Sequence, residues 1–205
     1  MEYPQVIKRS VSILLGIALV IGACSGGEMS MTEYGESINA LVTTAFAGAE
    51  ELVGDTFWMA DGPPQQLQAT LRATREIRIP LQEGADSLVP PTQISDLHDL
   101  MWTWHSRMIS VEEALATRAG LTEDSGEGWT ALSESPEMAA YRSALIEGKQ
   151  ICADFQGTLD ATASRGAFAD TAWLPTEMKE VVEAALGCQL FPEDPEDVYR
   201  YPPAP

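Results

Sequence analysis

Basic side chains are scarce in this chain. Against 31 acidic residues stand 12 lysines and arginines, for a formal net charge of −19. A surface so acidic repels nucleic acid and anionic headgroups alike. The only histidines are His98 and His105, and the only cysteines are Cys24, Cys152 and Cys188. Much familiar chemistry therefore lacks its parts. There is no HExxH pair for a zinc protease, no CxxC dithiol and no CxxCH for haem. Neither histidine has a glutamate three residues before it, as a di-iron bundle requires. A serine triad would have to use one of the same two histidines, and no GxSxG elbow carries a nucleophile. Glu123-Asp124-Ser125-Gly126-Glu127-Gly128 is acidic but lacks the alternating oxygen ligands of a calcium loop. These absences give an enzyme little support.

What is present begins at the N-terminus. Lys8 and Arg9 precede an apolar run, Val11 to Ile21, and Gly22-Ala23 supply small residues before Cys24. Charge, apolar segment and small residues in this order form a secretory signal. The run is too short for a spanning helix, which needs about 20 apolar residues. Ile21-Gly22-Ala23-Cys24 resembles the lipobox of bacterial lipoproteins. That resemblance implies cleavage before Cys24, a diacylglycerol on its thiol and an extracytoplasmic chain held to the membrane by lipid, in a periplasm or at a cell surface. The plainer accounts are an ordinary signal that ends near a cysteine, or an uncleaved anchor. Ser25 in place of Asp removes one inner-membrane retention signal if the cell has two membranes. The expected organisation is a signal peptide over 1–23, a flexible tether over 24–31, a helical domain over 32–190 and a proline- and acid-rich tail over 191–205.

Cleavage would leave 205 − 23 = 182 residues, enough for one domain with a good core. It would also remove Lys8, Arg9 and Glu2, so the formal charge becomes 10 − 30 = −20. With Cys24 lipidated, Cys152 and Cys188 remain as an even number in an oxidising compartment, and a disulfide between them is expected. Closing a loop of that length contributes about 3–4 kcal/mol in the chain-entropy description. The alternative is two buried free thiols.

The remainder has helical periodicity. Apolar residues recur on one face from Thr32 to Val53, and Gly54-Asp55 stops that run. Pro63-Pro64 opens a second helix through Leu67, Leu71, Thr74, Ile77 and Leu81 towards Leu88, with a kink or break expected at Pro80. A third carries Ile94, Leu97, Met101, Trp104, Met108, Val111 and Leu115, ending after Arg118 at Gly120. Ser135-Pro136-Glu137 starts a fourth, with Met138, Tyr141, Leu145, Gly148, Cys152, Phe155 and Leu159 as its stripe and Arg165-Gly166 as its stop. Leu174 to Leu186 gives a short fifth. The expected fold is all-α: an antiparallel bundle of four long helices plus a short C-terminal one. The tail from Phe191 is expected to run along the surface, and Leu121 to Glu134 as a long connection.

Several residues invite a function. His98 and His105 stand seven apart on one helix face, each followed three residues later by a methionine, Met101 and Met108. Imidazole with thioether suits copper, but methionines at helical spacing also simply fill cores. Two turns separate the histidines by about 10 Å, so a shared metal would need ligands from other helices. Glu112 continues the same stripe. Arg72, Arg75 and Arg78 could hold an anion through bidentate forks, or pair with the chain's own acids. Trp58 and Trp129 would mark a partner-binding patch if exposed, and would lid the bundle if buried.

These features point to a lipid-anchored, non-enzymatic domain that binds an envelope protein or a small ligand, with no cofactor beyond the lipid on Cys24. A copper- or zinc-binding bundle is the alternative, and an envelope hydrolase comes third.

Overall fold

A computed structural model describes residues 27–46, 62–164 and 198. Its α-helices are α1 (Met31–Phe46), α2 (Pro64–Ala85), α3 (Ser95–Gly120), α4 (Gly126–Ser133) and α5 (Pro136–Ser164), with a 3-10 turn at Thr92–Ile94 leading into α3. No strand occurs among the described residues, so the all-α expectation holds. Among the same residues, no helix is long and apolar enough to cross a membrane.

Helix α1 starts on a capping box. Ser30 Oγ accepts from the Glu33 amide at 3.2 Å, and the Glu33 carboxylate accepts from the Ser30 amide at 2.8 Å, satisfying two donors that a helix start leaves open. Tyr34, Ile38 and Val42 are buried at the expected spacing. The backbone ahead of this helix is also docked. Met29 N–H donates to the Val89 carbonyl at 3.1 Å, the Glu28 carboxylate accepts from the Thr92 amide, and Met29 packs against the core. Within the stretch expected as a flexible tether over 24–31, Glu28 and Met29 are docked, because the Glu28 carboxylate and the Met29 N–H both find partners on the connection between α2 and α3.

Gly62, at φ 93°, turns the chain into Pro63 and the first turn of α2. The break expected at Pro80 does not occur; the helix runs on to Ala85. Pro80 is exposed and forfeits only one backbone bond, while Ile77 and Leu81 are buried on either side of it in sequence. Burying each such side chain contributes roughly 1.5–3 kcal/mol, enough to offset a missing bond. Close approach to α1 is permitted at Gly84, where a Cβ would collide with the Leu41 side chain.

Helix α3 packs against α2 and α5. Having two neighbours explains why its buried set is wider than one stripe: beside Leu97, Met101, Trp104, Met108 and Leu115 it includes His98, Trp102, His105, Glu112, Ala116 and Ala119. The connection expected over Leu121 to Glu134 contains helix α4, whose N-cap Ser125 accepts from the Gly128 amide at 3.1 Å and whose Leu132 is fully buried. A capped helix of 8 residues around one apolar anchor is too short to register as periodicity.

Ser135 caps α5 as its sequence implies, accepting from the Met138 amide at 3.2 Å. Met138, Tyr141, Ala144, Leu145 and Ile151 are buried. Trp104 of α3 donates its indole N–H to the Ala144 carbonyl at 2.8 Å, tying these two helices together. Cys152 packs part-buried against the core. Its expected partner Cys188, the expected helix from Leu174 to Leu186, Phe57-Trp58-Met59 and the whole signal segment lie outside the described residues. Of the tail, only residue 198 is described. Val198 is buried, and its carbonyl accepts from Arg142 at 3.3 Å, so the surface path expected for the tail does not hold at this residue.

Candidate functional site

Where α2 ends and α3 begins, the two helices part around an open cleft of about 660 Å³. Gln82 and Asp86 reach it from α2, four residues apart and hence on one face. His98, Trp102 and Ser106 reach it from α3 at the same spacing, with Asp99 and Thr103 beside them. Leu88 and Pro90 of the connection complete the lining.

His98 is buried to 9% exposure, and its bonds settle its tautomer. Trp102 Nε1–H, which can only donate, lies 3.1 Å from His98 Nδ1, and the Tyr34 hydroxyl lies 2.9 Å from the same nitrogen. Nδ1 is therefore an acceptor, and the neutral ring carries its proton on Nε2. Burial holds the imidazole below its ordinary value of 6.5, against the pull of Asp99 and then Asp86. Burial likewise raises the Tyr34 phenol, so it stays a protonated donor. Gln82 donates its amide to Asp86 at 2.7 Å. This orients the amide and leaves the buried Gln82 Oε1 without a hydrogen-bond partner. The cleft thus presents two carboxylates and one fixed N–H, while the Gln82 amide oxygen is closed to solvent. Neither lysine nor arginine is among its lining residues.

From the cleft a run of rings leads inward. Tyr34 meets His98 edge-on at 5.6 Å, His98 meets Trp102 at 6.1 Å, Trp102 lies 4.9 Å from His105, and His105 lies 5.1 Å from Trp104. The Arg78 guanidinium sits 5.4 Å over the Trp104 ring and pairs with Glu112 at 2.9 Å. Both members of this pair are sealed from solvent, and Glu112 Oε2 has no hydrogen-bond partner. Burial raises the Glu112 carboxyl, with Arg78 opposing. Tyr141 is raised first by burial and then by Glu112.

The sequence candidates fall into this frame unevenly. His98 and His105 share a face, but Trp102 contacts both rings, while Met101 and Met108 are core side chains. Among the described residues, no three histidine, cysteine, aspartate or glutamate side chains converge to hold a metal ion. Nor does a carboxylate orient His98 as a hydrolytic triad would require, since its Nδ1 faces Tyr34 and Trp102. Two of the three arginines do pair with the chain's own acids: Arg75 meets Glu113 at 3.1 Å and Arg78 meets Glu112, leaving Arg72 exposed away from any shared anion site. Trp129 is half-buried and donates to Asp124 at 2.9 Å. Trp58 lies outside the described residues.

Sequence reasoning did not single out Tyr34, Gln82, Asp86, Asp99 or Trp102 for a site. A signal existed for one: Trp102 follows His98 by four residues and must share its face. Asp86 and Gln82 lie on another helix, and only packing brings them to the histidine. Compared with protein-family models, curated proteins and solved structures, the chain matches none.

Proposed function

We propose that this chain is a lipid-anchored, non-enzymatic domain outside the cytoplasm that binds a small ligand at the cell envelope, in the cleft beside His98. The observation that carries the binding is the gathering of Asp86, Asp99 and a nine-tenths-buried imidazole around open space. The anchor rests on Ile21-Gly22-Ala23-Cys24. Three residues separate Cys24 from the docked Glu28, four residue steps and a reach of about 14 Å at most. Glu28 and Met29 dock on the α2–α3 connection, whose Leu88 and Pro90 line the cleft, so this anchor would hold the cleft near the lipid surface. A small ligand is favoured over a protein partner because Trp129, the described member of the aromatic pair, is half-buried and already bonded to Asp124.

In this reading α1, α2, α3 and α5 form an antiparallel bundle, completed by a short helix from Leu174 to Leu186 and fastened by a Cys152–Cys188 disulfide. Native mass spectrometry of protein extracted from its host in mild detergent tests the proposal. The expected species is residues 24–205 with acyl groups, two hydrogens light, carrying a ligand that leaves on denaturation. A full-length unacylated chain overturns the anchor. An acylated chain that never carries a ligand, and whose His98 resonances no envelope extract moves, overturns the binding.

A further inference from the structure

We infer that the cleft takes a small amino alcohol, an ammonium group carried a few atoms from an oxygen, either free or as a lipid headgroup. This rests on the reading of the cleft as the ligand site and adds the chemistry of what enters it. The lining offers acceptors from the end of α2 and from α3, the Asp86 and Asp99 carboxylates. An ammonium has three N–H donors and no acceptor, which matches that set. Asp86 also caps the C-terminal end of α2, where the helix dipole favours a cation. The Glu28 carboxylate is already engaged elsewhere, on the Thr92 amide of the 3-10 turn that leads into α3. With no lysine or arginine in the lining, and a chain of net charge −19, nothing there competes with the incoming charge.

The oxygen follows from His98. Its Nδ1 is held as an acceptor by Tyr34 and Trp102, so the ring presents a single N–H from Nε2, with no hydrogen-bond partner shown for it among the described residues. A bare ammonium would leave that donor unmet, and a hydroxyl or ester oxygen close to the nitrogen would satisfy it. An anion would meet two carboxylates, and a neutral polyol would leave them without a counter-charge.

The test uses the full chain in phosphatidylglycerol nanodiscs, titrated calorimetrically with ethanolamine, ethylene glycol and acetate while the histidine resonances are followed. Saturable binding is expected for ethanolamine alone, with the His98 signals shifting. An Asp86→Asn, Asp99→Asn double variant should weaken it at least tenfold with an unchanged helical spectrum. Equal binding of ethylene glycol, or undiminished binding by the double variant, overturns the inference. If acetate or ethylene glycol moves His98 while ethanolamine does not, the ligand class falls and the cleft reading stands. If nothing moves His98, both fall. Exchanging half the lipid for phosphatidylethanolamine separates the sources: a lowered apparent affinity for free ethanolamine supports the headgroup, and an unchanged one supports the free amine.

Discussion

Helices α2 and α3 lie side by side, and two groups of ionisable side chains on them contrast, one sealed in the middle of their contact and one open at its end. In the middle, Arg78 and Glu112 face each other at 2.9 Å beneath Trp104, closed to solvent. At the end, Gln82, Asp86, His98 and Asp99 surround open space. The ionisable groups of the middle stand against apolar side chains, a costly arrangement unless each charge finds a partner, whereas Asp86 and Asp99 at the end are exposed. In the middle the partner is the other member of the pair. At the end the fold supplies partners for one face of His98 and leaves the other facing the cleft. The difference separates polar groups that the fold uses on itself from polar groups left for something else.

The largest test of that contrast is to remove one member of the closed pair. Arg78→Ala leaves Glu112 buried without its counter-charge and should cost about 3–5 kcal/mol, read as a fall in the denaturation midpoint. Replacing both members by apolar residues, Arg78→Met with Glu112→Leu, should recover most of the loss. Asp86→Asn in the cleft should leave the midpoint nearly unchanged, since that carboxylate is exposed. A cleft variant as damaging as Arg78→Ala would break the comparison.

A smaller effect appears in pH. The folded-state value of Glu112 is raised above 4.5 by burial, so over the interval above 4.5 the folded chain binds more protons than the unfolded one. Stability from this group is full below that interval and is lost as pH rises through the folded value. Glu112→Gln cannot titrate, and the difference in stability between wild type and variant should shrink with rising pH as wild type loses its share. A constant difference across the interval would mean that Glu112 is ionised throughout.

The closed place was half legible in the sequence. His98, His105 and Glu112 stand at steps of seven, and all three are buried on α3, because that spacing returns to one helix face whatever the neighbours. Arg78 was legible as one of three arginines able to pair with acids, but which acid it meets depends on how α2 and α3 align. The open place was less legible still. Its members lie on α2, on α3 and on the connection over 86–94, and only packing brings them together. Local signals fared as their length dictates. Ser135-Pro136-Glu137 marked a helix start correctly because caps act within one turn. Of the kink or break expected at Pro80, the break does not occur, because burial of its neighbours outweighs one lost bond.

At the open place, Tyr34→Phe removes one of two donors to His98 Nδ1 and should cost about 0.5–1.5 kcal/mol. Its sharper readout is the imidazole itself. The wild-type ring should titrate below 6.5, and its contribution to stability, present above that value, should fade as pH falls through the folded midpoint. Without the tyrosine donor the neutral ring loses support, so its midpoint should rise. A midpoint that stays put in Tyr34→Phe would show that the hydroxyl does not hold Nδ1, and the assignment of the proton to Nε2 would then rest on Trp102 alone.

The smallest effect is expected at Arg107 and Glu147, a pair that joins α3 to α5 but stands in solvent, with side chains 44% and 37% exposed. Arg107 also reaches Ser143 at 3.3 Å, so its geometry is no poorer than that of Arg78. Water competes for both charges, and ordering two long side chains offsets much of the attraction. Arg107→Ala should cost only about 0.2–1 kcal/mol, and the cost should shrink further in high salt, which screens exposed charges and barely reaches sealed ones. The same salt series on Arg78→Ala should change little. If the two arginines respond alike in size and in salt dependence, enclosure is not what gives the α2–α3 pair its weight, and the distinction between the closed and open ends of that contact loses its physical basis.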